Sequence, residues 1–413
     1  MQLDSDVYLV GRLWCHNRNG RESASFEYDD TWLKHNQRYA LEPALTLSPG
    51  AFHTTADKSL FGSIGDSAPD RWGRLIMRRA EAIRAKKINE VPRTLREVDF
   101  LLGVSDEARQ GALRFSETMN GVFLAPKDQK AIPPFVELSK LLSATERFLD
   151  DKEDANDMRL FLAPGSSLGG ARPKASIRDK EGNLAIAKFA RKDDEHNVVV
   201  WEAVTLSLAA KAGISLSEWQ LHTILKKPTL IIRRFDRRKS KNGEMRIPFL
   251  SAMSMLGAKD HEEHSYLEII DALLRYGASP EADMCELWRR IVFSVLVSNT
   301  DDHLRNHGFI YEKFKGWRLS PAYDINPTPM EIKPRILTTT IDLKDGSASL
   351  ELALSVAENF RLSKSSAKKI IKQVAASVTE WRKVAQTFGI SKTEINRMSS
   401  AFEHQDLQKA LAI

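Results

Sequence analysis

The chain has 413 residues and a mass of 46.6 kDa, 42% of it hydrophobic and 28% charged. That leaves room for two or three domains of ~150 residues and excludes a small stapled module or a collagen-like, fibrous or disordered composition. Basic residues exceed acidic ones by 61 to 55, a net charge of +6 with pI ≈ 9.1, which allows attraction to acidic partners without requiring nucleic acid. Cys15 and Cys285 lie far apart, with no His or Cys at ligand spacing, which argues against a disulfide framework or zinc site and for a reducing compartment.

The first ~120 residues read as mixed α/β, opening with strand-like VYLVGRLW (Val7 to Trp14) and SASFEY (Ser23 to Tyr28). The opening stretch lacks the apolar core of a secretory signal, so the expected location is cytoplasmic. PDRWGRLIMRRAEAIRAKK places Trp72, Leu75, Ile76, Ala80 and Ile83 on one helical stripe, with its bases on a solvated face. GALRFSE and NGVFLAP flank Asn120-Gly121, a hairpin signal, and KDQKAIPP then reads as a boundary. FVELSKLLSATERFL is helical. In KASIRDKEGNLAIAKFA, Lys174–Ile177 pairs with Leu184–Phe189 around a charged turn, which sets Lys174 and Lys188 on neighbouring strands. TLIIRRFDRR is a further strand, and Asn242-Gly243 marks a turn after it. From about residue 250 helical periodicity dominates, as in SYLEIIDALLRYG, DMCELWRRIVFSVLVSN and SSAKKIIKQVAASVTEWRKVAQTFG. Its most apolar run, Ile291 to Ser298, is far shorter than the ~20 residues a membrane span needs, and no membrane partner is expected.

Three segments carry residue types that a core does not need. The glycine-rich Gly165-Ser166-Ser167-Leu168-Gly169-Gly170-Ala171-Arg172-Pro173-Lys174 would let backbone N–H groups approach phosphate oxygens, although it is not a Walker A loop and an ordinary turn is the competing reading. Ser298-Asn299-Thr300-Asp301-Asp302-His303-Leu304-Arg305-Asn306-His307-Gly308 follows an apolar helix, and Asp301 precedes Asn306 by five positions. That is the offset between catalytic base and metal-binding Asn in a kinase loop; a polar helix cap is the bland alternative. Asp302 competes as the base, but only Asp301 has this offset. Trp317 to Ile325 is a short strand followed by Tyr323-Asp324, and Asp324 is the candidate second metal carboxylate. Lys188 on its strand and Glu202 in VVVWEAVTLSLAAKAGI form a candidate phosphate-holding pair or, equally, a structural salt bridge. His261-Glu262-Glu263-His264 has its histidines three apart, not four, and reads as a solvated helix start. Of the bases at Arg233, Arg234, Arg237, Arg238, Lys239 and Lys241, some are assigned to nucleotide and the rest to solvent.

Over nearly its whole length the chain resembles the HipA-type serine/threonine kinases, the toxins of bacterial toxin–antitoxin pairs. The resemblance runs through FGSIGDSAPDRWGRLIMRR, LREVDFLLGVSDEARQGALRF, SSLGGARPKASI, AIAKFA, IIRRFDRR, SNTDDHLRNHGF and LSPAYDINP. It implies an α+β, protein-kinase-like bilobal fold. The parts would be a family-specific N-terminal mixed α/β subdomain (1–125), a nucleotide-binding N-lobe (126–238) and a helical C-lobe with the catalytic loop (239–413). It implies ATP and Mg²⁺ as cosubstrates, Asp301 as base, Asn306 and Asp324 as metal ligands and Lys188 as the phosphate-binding lysine. Gly169, Gly170, Ala171, Arg172 and Lys174 would form the phosphate loop, Arg233, Arg234 and Phe235 the strand that meets adenine through its backbone, and Tyr323 part of the nucleotide site.

His303 stands two after the base, where many kinases carry a lysine, so the γ-phosphate contact is expected from Arg305 or from protonated His303. Ser167, with Ser166 as the alternative, is at the position of the family's autophosphorylated serine. The implied partners are a translation-related protein substrate such as an aminoacyl-tRNA synthetase and a small helix-turn-helix antitoxin, through which DNA would be bound. Two rival readings are a small-molecule phosphotransferase and a catalytically dead nucleic-acid-binding regulator. A dead site has no physical need for Lys188, Asp301, Asn306 and Asp324 together.

Overall fold

The computed structural model describes all residues except Ser5, Asn120, 125–131, 163–171 and Asn242, together with the side chains at 161–162. They fall into two units that interleave along the chain: Met1–Arg191 with His222–Leu250, and Lys192–Leu221 with Ser251–Ile413.

After a short antiparallel pair, Gln2–Leu3 with Asp6–Val7, the first unit forms β1 (Gly11–Arg18) and β2 (Arg21–Tyr28), antiparallel around Asn19 and Gly20, whose φ values of 52° and 79° suit a two-residue mirror-image turn. The expected strand Val7–Trp14 is therefore split, Val7 belonging to the short pair and Gly11–Trp14 to β1, which runs on to Arg18. β3 (Ala51–His53) pairs with the other edge of β2. α1 (Arg71–Lys87) starts at Asp70, whose carboxylate accepts from Gly73 N at 2.8 Å. Its buried face carries Trp72, Ile76, Met77 and Ala85, with Ala80 and Ile83 half-buried against the cluster of Trp72 and Ile76, so the expected stripe forms except at Leu75, which is exposed. Trp72 anchors this face: its indole donates to Lys174 O at 2.9 Å and packs edge-on against Phe148. The arginines of α1 are not merely solvated: Arg74 pairs with Glu97, Arg79 with Asp151 and Glu153, and Arg84 with Glu81.

No strand forms in 111–119 or 121–124, and Asn120 of the expected hairpin lies outside the described residues. Leu124 N donates to Phe115 O and Gly121 N to Thr118 O in place of a ladder, while Arg114 is held by Asp106 and lies over the Phe123 ring. α2 (Leu138–Leu149) and α3 (Ala155–Leu162) follow. Strands β4 (Lys174–Arg178), β5 (Leu184–Phe189), β6 (Trp219–Ile224) and β7 (Lys227–Arg233) form one sheet in the order β4-β5-β7-β6, with Lys174 opposite Lys188 and Lys188 opposite Leu230. α2 lays Leu138, Leu141 and Leu142 on Ala175, Ile177, Ala185 and Phe189 of this sheet. β8 (Arg237–Ser240) and β9 (Gly243–Arg246) make the hairpin foreseen at Asn242-Gly243, Asn242 itself lying outside the described residues.

Between β7 and β8 the buried Asp236 accepts from Arg234, Arg237 and Gly111 N. Burial alone would raise its pKa, but the Arg234 and Arg237 charges outweigh burial and hold it well below the usual carboxylate range. Gly111 has φ of 73°, and a Cβ there would lie 3.2 Å from Phe249 N, so this contact needs glycine.

In the second unit α4 (Val198–Lys211) is apolar on nearly every side and buried accordingly, with Trp201 against Trp381 and Phe402. α5 (Tyr266–Tyr276) opens with a capping box of Ser265 and Glu268, and α6 (Pro280–Val297) has proline at its first turn. The last seven residues of α6 are all buried, which accounts for the apolar run as interior helix. Among the described residues no helix is long and apolar enough to cross a membrane. α6 stops where Ser298 turns left-handed (φ 52°), and β10 (Gly308–Glu312) then pairs antiparallel with β11 (Gly316–Leu319). The helix expected over the SSAKK…TFG segment divides at Thr379 and Glu380 into α7 (Lys364–Val378) and α8 (Trp381–Thr387), where Trp381 stacks on Phe402 at 4.5 Å.

His404 is buried, with Nε2 3.2 Å from Leu296 O and Arg335 bound to the neighbouring Asp406. Burial first, then the Arg335 charge, lowers its pKa from 6.5 to about 4. The unfolded chain takes up this proton near pH 6.5 and the folded chain only near pH 4, so the stabilisation is complete above pH 6.5 and is lost as pH falls. Urea unfolding at pH 7 and pH 4.5 checks this: the wild-type stability should fall with acid by about 2–3 kcal/mol more than that of His404→Gln. Equal falls would contradict it.

Candidate active site

After α6 the chain forms a loop, 298–307, that a second segment holds in place. Thr328 N donates to Ser298 O at 3.0 Å, Asn326 N to Asn299 Oδ1 at 3.1 Å, and the Tyr323 hydroxyl to Arg305 O at 2.8 Å. These bonds tie the segment carrying Asp324 to the loop carrying Asp301 and Asn306. Asn306 closes the loop on itself by donating from Nδ2 to Asp301 O at 3.1 Å. Asp324 has φ of 59°, a left-handed conformation that few non-glycine residues adopt and that tends to mark functional sites, and its carboxylate accepts from Asn326 Nδ2 at 3.2 Å.

Consecutive acids in the loop have opposite surroundings. The Asp301 side chain is 77% exposed, with Lys333 Nζ 3.9 Å away. Asp302 is buried, and its carboxylate receives the Tyr266 hydroxyl at 2.5 Å and Ser294 Oγ at 3.4 Å, with His307 Nε2 at 3.1 Å. Burial would raise the pKa of Asp302, but the His307 charge and the bonds from His307 and Tyr266 prevail and lower it. Burial and the Asp302 charge in turn push the Tyr266 hydroxyl well above its ordinary value. Asp302 is thus a fixed interior anion, and Asp301 is the acid that an acceptor can reach. His303 is half-buried, its enclosed Nδ1 without a hydrogen-bond partner among the described residues, and Arg305 is held by Asp260 at 2.8 and 2.9 Å.

The remaining candidates lie mostly in the first unit. Lys188 is half-buried on β5. Lys174, assigned from sequence to the phosphate loop, is buried with its ammonium 3.1 Å from Asp70. Ser167, Gly169, Gly170 and Ala171 lie outside the described residues, and Arg172 is exposed. Arg233 pairs with Asp179 and Glu181, Arg234 and Arg237 with Asp236, and Lys239 donates to Glu181 O. Much of the basic cluster assigned to nucleotide and solvent is therefore committed to internal contacts. Phe235 lies against Phe249, their ring centroids 6.0 Å apart. Glu202 is buried on α4 and belongs to the other unit from Lys188.

Sequence reasoning missed Tyr266, His307, Asp70 and Lys333. Of these His307 and Asp70 lie in quoted motifs, but nothing local assigns either a partner. For Mg²⁺, the carboxylate of Asp324 and the side-chain oxygen of Asn306 are hard donors on two segments tied together, and Asn306 Nδ2 is already engaged. One or two protein oxygens are what this ion takes when phosphates complete its shell, so the residues fit.

Residues 166–382 match the HipA-like C-terminal domain. The chain belongs to the HipA-like family. It is 25% identical over 354 residues to "Putative kinase Y4mE" of Sinorhizobium fredii, covering 78% of this chain and 76% of that one. It is 26% identical over 211 residues to a "Putative kinase" of Haemophilus influenzae, covering 45% of this chain and 61%, under two thirds, of that relative. Among solved structures, the Shewanella oneidensis MR-1 toxin–antitoxin complex of HipA, HipB and operator DNA matches with a TM-score of 0.63 at 15% identity, over 98% of this chain and 94% of that one. The fold is accordingly α+β and protein-kinase-like.

Removing one partner of a buried ion pair leaves an uncompensated charge. Lys174→Met should cost about 3–5 kcal/mol in urea unfolding, and Asp70→Asn with Lys174→Met should recover much of the loss. A Lys174→Met chain as stable as wild type would contradict a structural role for this lysine.

Proposed function

We propose that this HipA-like chain is an ATP-dependent serine/threonine protein kinase and the toxin of a toxin–antitoxin pair. The observation that supports this most is the Tyr323 to Arg305 hydrogen bond, which sets Asp324 beside the loop of Asp301 and Asn306. In this reading Asp301 accepts the proton of an acceptor hydroxyl as its oxygen bonds to the γ-phosphorus and the bond to the β-phosphate oxygen breaks, releasing ADP. Asn306 and Asp324 would hold Mg²⁺, which offsets phosphate charge when bound. Lys188 would bind phosphate oxygens, with Glu202 its proposed partner, and the backbone of Arg233 to Phe235 would meet adenine.

The kinase names of the relatives and the kinase-like fold support phosphoryl transfer. The solved neighbour's complex with HipB and operator DNA favours a small DNA-binding antitoxin as partner. A translation-related protein such as an aminoacyl-tRNA synthetase is the proposed substrate. Ser167, or Ser166 beside it, is the proposed autophosphorylation site, to be mapped by peptide mass analysis after incubation with ATP.

Asp301→Asn and Asp324→Asn, incubated with labelled ATP, Mg²⁺ and cell lysate, should each lower transfer to protein by about 10²-fold or more while leaving the circular dichroism unchanged. Asp324→Asn should also raise the Mg²⁺ concentration needed. Full transfer by either variant would refute its assigned role, and label confined to a small metabolite would refute the protein-kinase reading.

A further inference from the structure

The transition state of phosphoryl transfer spreads negative charge over the γ-phosphoryl oxygens, and a site that catalyses it places a cation there. The two cations expected from the sequence are poorly disposed for this task. Arg305 forks onto Asp260 at 2.8 and 2.9 Å, and His303 is half-buried with its Nδ1 enclosed. A third cation, marked by no motif, stands at the candidate base: Lys333 Nζ lies 3.9 Å from Asp301 Oδ1.

The backbone of Lys333 is fixed to this loop from both sides. Its own N–H and that of Ile332 donate to Pro329 O, forming a turn, and Thr328 just before the turn donates to Ser298 O at 3.0 Å. Two residues beyond, Arg335 donates to Ser298 Oγ at 3.1 Å and Val295 O at 2.9 Å and pairs with Asp406 at 2.7 Å. Thr338 then donates to Thr300 O from both its N–H and its hydroxyl, at 3.1 and 3.0 Å. The chain is thus anchored to residues 298–300 before and after Lys333, while the lysine side chain remains 43% exposed beside the 77% exposed Asp301. An ion pair this open adds little to stability. The anchored segment nevertheless presents an ammonium to the one exposed carboxylate of the loop.

We infer that Lys333 is a further catalytic residue, whose ammonium contacts the transferring γ-phosphoryl group beside Asp301. The inference rests on the kinase reading and assigns Lys333 the role that a lysine two residues after the base plays in other kinases. No proton or bond changes hands at Lys333: it donates hydrogen bonds to the phosphoryl oxygens while Asp301 takes the hydroxyl proton. A lysine in this role binds the transition state more tightly than the ground state.

The test uses the full chain with Mg²⁺ and labelled ATP, reading ADP release and transfer to the chain itself. It adds the affinities for a fluorescent ATP analogue and for ADP with aluminium fluoride, a mimic of the transferring group. Lys333→Ala should lower the rate by about 10²-fold, change the affinity for the ATP analogue less than about threefold, and weaken ADP–aluminium fluoride binding by about the factor lost in rate. Lys333→Arg should recover part of the rate. A Lys333→Ala rate within threefold of wild type, or equal loss of affinity for both nucleotide probes, would overturn the inference. Asp301→Asn run alongside separates the two levels: if it is inactive while Lys333→Ala is fully active, only the lysine assignment falls. If Asp301→Asn is as active as wild type, or wild type turns over no ATP, the kinase reading beneath it falls as well.

Discussion

The carboxylate of Asp302 is the interaction on which the loop of the candidate site depends. A buried anion is costly unless it is paired and hydrogen-bonded, and here Tyr266 of α5, Ser294 of α6 and His307 at the end of the loop surround it. Its backbone carbonyl accepts from Thr339 Oγ1 at 2.6 Å as well. Meeting these groups fixes the loop between α6 and β10, and with Asp302 turned inward Asp301 is left on the outside. The burial of one acid therefore makes its neighbour available for chemistry.

The same logic governs the basic residues. A net charge of +6 and a run of arginines after β7 give an impression of a polyanion-binding surface. In the structure Arg234 and Arg237 are interior partners of Asp236, Arg233 pairs with Asp179 and Glu181, and Lys174 with Asp70. These cations hold the first unit together: the Asp236 cluster fastens the 106–111 turn to β7 and β8, and the Asp70–Lys174 pair fastens the start of α1 to β4. Composition counts charges but does not show which are neutralised inside.

What was legible in the sequence was local. The β4–β5 hairpin, with Lys174 opposite Lys188, follows from alternation around a five-residue turn, and the long helices follow from their 3.6-residue period. The Asp301 to Asn306 offset is readable because both residues lie on one short loop. The stripe of α1 was readable from its spacing except at Leu75, but the bond that anchors it, from Trp72 to Lys174 about a hundred residues away, was not. Asp70 with Lys174, Tyr266 with Asp302 and Lys333 with Asp301 are likewise pairings across long separations, and no spacing rule encodes them. The strand pair expected around Asn120-Gly121 failed because Arg114 engages Asp106 and Phe123, so side chains rather than a backbone ladder organise that segment.

The most direct test of this account compares the two adjacent acids by urea unfolding at pH 7. Asp302→Asn, which breaks a buried charge network, should lose about 3–5 kcal/mol of stability, whereas Asp301→Asn, on the exposed side, should stay within about 0.5 kcal/mol of wild type. Equal losses for the two variants, or a larger loss for Asp301→Asn, would contradict the claim that burial of Asp302 positions Asp301.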